Sequence, residues 1–119
     1  MKESMAFEQG EYNHFNGVIM WGNTEGYVKN ARFSLMNKNG NKMIMWYNGI
    51  FKNGNLSDTI FINGVFENGN FKNSSFENGL FKNGTWTKSF WNRGKCIHCE
   101  GNRFDKKNFQ TPYRFLHSN

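Results

Sequence analysis

The chain has 119 residues, which is enough for one domain of ordinary size. Only 37% of the residues are hydrophobic, yet 18% are aromatic, so a core has to be built from rings, chiefly the 13 Phe. That aromatic content argues against intrinsic disorder. The net charge of +6 is uneven, because half of the excess lies in residues 101–119.

Secretory and membrane-spanning segments are not expected. The first ten residues contain no apolar stretch typical of a signal peptide, and the longest apolar runs are far shorter than the ~20 residues of a spanning helix. Two Cys three residues apart do not make a secreted disulfide framework. We therefore expect a cytoplasmic or virion protein that is not secreted and has no membrane partner.

Residues 1–45 predict a strand-rich N-terminal cap. The segment ARFSLMNKNGNKMIMW (31–46) has two β-prone runs around an Asn-Gly turn, which is typical of a hairpin. The near copies VIMWGN (18–23) and MIMWYN (43–48) lie 25 residues apart, which is five units of five. Degenerate turns of the repeat described next are therefore the alternative for residues 1–45.

From Trp46 onward, a large apolar residue returns every five residues, and a small residue follows three positions later. The first set is Trp46, Phe51, Leu56, Phe61, Phe66, Phe71, Phe76, Phe81, Trp86, Trp91 and Cys96. The second set is Gly49, Gly54, Thr59, Gly64, Gly69, Ser74, Gly79, Gly84, Ser89, Gly94 and Cys99. Asn or Asp precedes the small residue in the first eight units. Two such registers establish an internal repeat.

A square coil explains the five-residue spacing, which neither a helix nor a regular strand satisfies. Each unit is one short side whose large and small residues point inward, and Asn and Gly form the corners. Four units make a coil of about 20 residues, and successive coils lie about 4.8 Å apart, as neighbouring strands do. The rings then form four columns over about two and a half coils, and the ends of so short a solenoid need covering.

This pattern resembles the pentapeptide-repeat family, a right-handed quadrilateral β-helix with a central Leu or Phe and a small residue two positions before it. NARFS, in which Ala31 precedes Phe33 by two, has the same form. The resemblance covers residues 46–100, where Gly replaces the Ala that the family favours and Asn dominates the turns. It implies an all-β fold: a short right-handed parallel β-helix with a strand-rich N-terminal cap.

Residues 101–119 lose the register and form a basic aromatic C-terminal segment. Its charges are Arg103, Lys106, Lys107 and Arg114 against the single acid Asp105. Lys and Arg can neutralise phosphates while rings stack on bases, so nucleic acid is an alternative partner. Four bases in 19 residues are a weak signal, and the composition favours a solvated or protein-binding segment.

The motif CIHC (96–99) has the spacing of two zinc-binding thiolates. A closed site needs four ligands, and no second Cys pair exists. The repeat offers another interpretation: Cys96 and Cys99 fill the two inward positions of the last unit as packed free thiols. We therefore expect no cofactor. Zinc bound by Cys96 and Cys99, between chains or with His117, is the alternative, and a redox role ranks below it.

Four apolar residues project outward in this register: Ile60, Ile62, Val65 and Leu80. A contiguous group of exposed apolar residues often marks a protein interface, so these residues are the candidate docking surface, together with the four bases of the C-terminal segment. The alternative is that the N-terminal section covers them.

The sequence contains no catalytic constellation, phosphate-binding loop or paired carboxylates, so we expect a non-enzymatic protein. The favoured function is a rigid structural or interaction module that docks onto proteins of a larger assembly, such as a phage or viral particle, with a homo-oligomer also compatible. The alternative is a regulator that binds nucleic acid or a nucleic-acid enzyme through its basic end. Mimicry of DNA, known in the family, is not expected, because residues 46–100 carry six bases and four acids.

Overall fold

The computed structural model describes residues 12–101, and the regular structure of this part is β throughout. Three long strands come first: β1 (Tyr12–Trp21), β2 (Thr24–Lys38) and β3 (Asn41–Ser57). Nine short strands follow: β4 (Thr59–Phe61), β5 (Val65–Glu67), β6 (Asn70–Lys72), β7 (Ser75–Phe76), β8 (Leu80–Lys82), β9 (Thr85–Thr87), β10 (Phe90–Trp91), β11 (Lys95–Ile97) and β12 (Glu100–Gly101). β3 and the nine short strands form a parallel β-solenoid of about four turns, which confirms the predicted all-β fold.

Successive coils are in register every 15 residues. On one side of the coil Phe51 pairs with Phe66, Phe66 with Phe81, and Phe81 with Cys96, all in parallel strands. Because each side is one five-residue unit, a coil of 15 residues has three sides. The prediction of a four-sided coil of about 20 residues is therefore wrong, and so is the prediction of only two and a half coils, since about four turns are present.

The inward residues accordingly form three columns, not four. The first column is Trp46, Phe61, Phe76 and Trp91; the second is Phe51, Phe66, Phe81 and Cys96; the third is Leu56, Phe71 and Trp86. Rings within a column stack, as do Phe61 and Phe76 with centroids 4.9 Å apart and planes 11° apart. Rings of different columns meet edge to face, as do Phe71 and Phe76 at 82°. Each ring thus contacts rings of the other sides, and the three-sided interior is filled.

Two different backbone conformations form the three corners of the coil. At the first corner, which lies at Gly49, Gly64, Gly79 and Gly94, Gly itself has the positive φ, for example +122° at Gly79. At the second corner (Gly54, Gly69, Gly84 and Cys99) and the third corner (Thr59, Ser74 and Ser89), the residue before the small residue adopts the left-handed conformation, as do Asn68 (φ 56°) and Asn73 (φ 48°). Asn tolerates this conformation better than most side chains do, which accounts for its abundance in the repeat.

The third corner also carries a ladder of buried hydroxyl groups. The backbone N–H of Thr59 donates to Ser74 Oγ at 2.9 Å, and Ser74 Oγ donates to the carbonyl of Lys72 at 2.6 Å. Ser89 continues the ladder by accepting from the N–H of Ser74 at 3.4 Å. Polar groups that are buried at this corner are therefore satisfied by the next coil, as buried polar groups have to be.

The N-terminal strands cap the first coil. β2 runs antiparallel along β3, which itself bends to form the first coil, and Phe33 of β2 stacks on Trp46 with planes 10° apart. The turn between β2 and β3 lies at Asn39 and Gly40, both with positive φ, so the predicted Asn-Gly hairpin is confirmed. β1, which contains residues 18–21, pairs antiparallel with β2. Among residues 12–101 no helix is long and apolar enough to span a bilayer.

Candidate interaction surface

Two columns of outward side chains flank the first corner of the coil. Because side chains alternate along each short strand, the residues on either side of an inward ring point away from the core. Ile62 lies just before the corner, and Val65 lies just after it. Ile50, Val65 and Leu80 are stacked on successive coils by the parallel register. We call Ile50, Ile62, Val65 and Leu80 the first-corner patch.

The structure excludes one of the four predicted surface residues and adds another. Ile60 is only 2% exposed, so its assignment to an exposed surface is wrong. Ile62 is 38% exposed, whereas Val65 and Leu80 are half-buried, and the structure brings these three to the same corner. Ile50 was missed, although a period of 15 residues from Val65 would have found it.

A column of alternating charge borders the patch. Lys52, Glu67 and Lys82 are stacked one per coil, immediately after the inward rings of the second side. Opposite charges on adjacent parallel strands are mutually favourable. Lys52 also lies over the ring of Tyr27 from β2, with its Nζ 5.5 Å from the ring centroid. Ile50, Val65 and Leu80 of the patch thus form an apolar column beside a charged column, and backbone pairing between coils holds both.

Comparison with protein-family models, with curated proteins and with solved structures finds no match to this chain. The kind of partner that this surface could bind is therefore inferred from its own residues.

The bonding and exposure of the two cysteines differ from the prediction, which was a pair of buried free thiols. Cys96 and Cys99 are joined by a disulfide, Cys96 is exposed, and Cys99 is partly buried against the core. Cys96 takes the ring position next to Phe81 in the last described coil, and no further coil within residues 12–101 covers it. A position that buries a ring in the middle of the solenoid is therefore exposed in the last described coil.

Within residues 12–101 no group of three or more potential metal ligands is brought together. Zinc bound between chains or with His117 stays a prediction. His117 lies outside the described residues. The same holds for the predicted interface bases of the C-terminal segment, Arg103, Lys106, Lys107 and Arg114, so binding through them stays a prediction.

Proposed function

We propose that the protein is a non-enzymatic interaction module whose solenoid docks onto proteins of a larger assembly through the first-corner patch. One observation carries the proposal: apolar side chains from three successive coils, namely Ile50, Ile62 with Val65, and Leu80, lie at one corner of a solenoid whose interior is filled by rings. A contiguous group of apolar residues at a surface often marks a protein interface.

The scaffold makes this patch suitable for binding. Backbone hydrogen bonds between coils fix its residues in position, as in the bond from the N–H of Leu80 to the carbonyl of Gly64 (2.9 Å). A surface that is already ordered loses little conformational entropy when a partner binds. The alternating charges of Lys52, Glu67 and Lys82 would favour one alignment of a partner with complementary charges.

The proposal has two narrower parts, which concern the kind of assembly and the relationship to a known repeat family. A viral or phage particle is the assembly that we favour, on the composition rich in Asn, Phe and Lys. The five-residue unit with paired inward residues is compatible with a relationship to pentapeptide-repeat proteins, although the coil has three sides. Binding of nucleic acid through the basic C-terminal segment is the competing function, and steep dependence of the affinity on salt would favour it.

The proposal is tested with the double substitution Ile62→Lys and Leu80→Lys in the full chain. We expect at least a tenfold drop in the amount of partner protein that co-purifies from the natural source, because desolvating two ammonium groups in an interface costs well over about 1.4 kcal/mol. Quantitative mass spectrometry of the co-purified proteins measures the drop.

The matched control is Asn55→Lys with Thr85→Lys, which adds the same charge at exposed positions of the third side. The control should retain the partner. Equal retention by both double variants, with circular dichroism unchanged, would show that the first-corner patch is not the docking surface.

A further inference from the structure

We propose that Cys96 and Cys99 form a reversible thiol–disulfide site in the last described coil, which exchanges electrons with a low-molecular-weight thiol. The proposal does not depend on the docking function.

The repeat itself places the two sulfur atoms together. In every unit the ring residue and the corner residue three positions later both point inward, and in the last unit these two positions are Cys96 and Cys99. The corner between them is closed by His98, whose φ of 52° matches that of Asn83 (53°) one coil earlier. The resulting Cα–Cα distance of 5.9 Å lies within the range that a disulfide spans. The backbone spacing of this unit is therefore compatible with the oxidised pair.

The reduced pair fits the same backbone. Cys99 Sγ lies 3.2 Å from the carbonyl oxygen of Phe81 in the preceding coil. Ser89 makes the equivalent contact at another corner, where its Oγ donates to the carbonyl of Phe71 at 3.3 Å. Both contacts join residues that are 18 apart. A thiol carries a hydrogen that can be donated, so reduction gives Cys99 a hydrogen bond whose acceptor is already in position.

Exposure decides which sulfur reacts first. Cys96 is exposed, as are its neighbours Ile97 (41%) and His98, whereas Cys99 packs partly against the core. Thiol–disulfide exchange depends on access to the attacked sulfur. The small thiolate therefore attacks Cys96 Sγ, and Cys99 Sγ is the leaving group.

The exchange balances as follows. A thiolate of the small thiol attacks Cys96 Sγ, the S–S bond breaks, and its electron pair goes to Cys99 Sγ, which takes up a proton. A second thiolate attacks the small-molecule sulfur of the mixed disulfide and releases Cys96 as a thiolate, which is then protonated. One protein disulfide is reduced by two electrons, and two small thiols are oxidised to one small-molecule disulfide.

The test uses the full chain equilibrated with a series of ratios of reduced to oxidised glutathione, quenched with N-ethylmaleimide and analysed by intact mass. We expect two maleimide adducts at the reducing end, none at the oxidising end and one transition between them, with unchanged far-ultraviolet circular dichroism. The double variant Cys96→Ser with Cys99→Ser should show no adduct at any ratio.

The single variants test the asymmetry between the sulfur atoms. Cys99→Ser, which leaves Cys96, should form a mixed disulfide with oxidised glutathione about tenfold faster than Cys96→Ser, because Cys96 is the accessible sulfur. A disulfide that survives the most reducing ratio, or that never forms, overturns reversibility. Loss of the β spectrum on reduction overturns the claim that both states fit the coil, and equal rates for the single variants overturn the assignment of attack to Cys96.

Discussion

At the scale of single residues, the corners of the coil decide which side chains the repeat accepts. A methyl group on Gly79 would lie 2.4 Å from the carbonyl oxygen of Gly64, in backbone that cannot move away because it is part of the preceding coil. Gly79 also has a φ of +122°, which side-chain-bearing residues rarely adopt. Steric overlap and backbone strain therefore act together at this corner.

We predict that Gly79→Ala lowers the free energy of unfolding by about 3 kcal/mol or more, since it combines overlap with a strained φ. Gly40→Ala is the control, because Gly40 shares a positive φ (+82°) but has no atom within 4 Å of the added carbon. Strain alone should cost that variant about 1 kcal/mol. Urea denaturation of both variants measures the difference, and equal losses would show that the close approach of the coils is unimportant.

At the scale of elements, the columns of rings hold the short strands in place. Strands of two or three residues have little stability of their own, so the stacking of each ring on the coils before and after it has to supply it. Phe66 illustrates this, since its ring lies 5.5 Å from Phe51 and 4.7 Å from Phe81 in the same column. It also meets Phe71 edge to face at 5.4 Å.

Phe66→Ala should therefore lower the free energy of unfolding by about 3–5 kcal/mol, because it removes a fully buried ring and leaves a cavity that the flanking coils cannot fill. Phe66→Leu keeps most of the volume and should cost about 1.5 kcal/mol or less. Chemical denaturation distinguishes the two outcomes. If Phe66→Leu proves as harmful as Phe66→Ala, ring stacking rather than the filling of volume dominates the column.

The five-residue unit was predictable from the sequence because local sterics define it: a ring inward, a turn former, then a small residue. The number of sides does not follow from the unit, because the same unit can close with three or four sides, and closure depends on contacts between coils. The sequence nevertheless contained a signal for three sides. Every third small residue carries a hydroxyl group (Thr59, Ser74, Ser89), and this 15-residue recurrence is the third corner with its buried hydrogen bonds.

The candidate site was less predictable for a related reason. The outward direction of Ile60 follows from the alternation of side chains, yet Ile60 is buried, so direction along a strand does not by itself determine exposure. The environment of Cys96 likewise depends on its being in the last described coil. Burial and exposure at the margins of a solenoid are set by what lies beyond the repeat, which the period does not encode.

At the scale of the whole molecule, the two ends of the solenoid are built differently within residues 12–101. The first coil is covered along its length by β2, and β2 is covered by β1. In the last coil, β10, β11 and β12 each pair with one strand only, in the coil before. Because each coil contacts only its neighbours, stability in such a molecule is close to a sum of nearest-neighbour terms.

We predict a gradient of amide hydrogen exchange along the solenoid, with the slowest exchange around Phe51 and Phe66 and faster exchange towards β10–β12, because end coils open without disturbing the middle. Phe33→Ala, which removes the ring stacked on Trp46, should accelerate exchange in β1, β2 and the first coil and leave β8 and β11 nearly unchanged. Exchange measured by mass spectrometry on peptides from both proteins tests this. Uniform acceleration across all strands in the variant would contradict this prediction. It would mean that the solenoid unfolds as one cooperative unit, without local opening at either end.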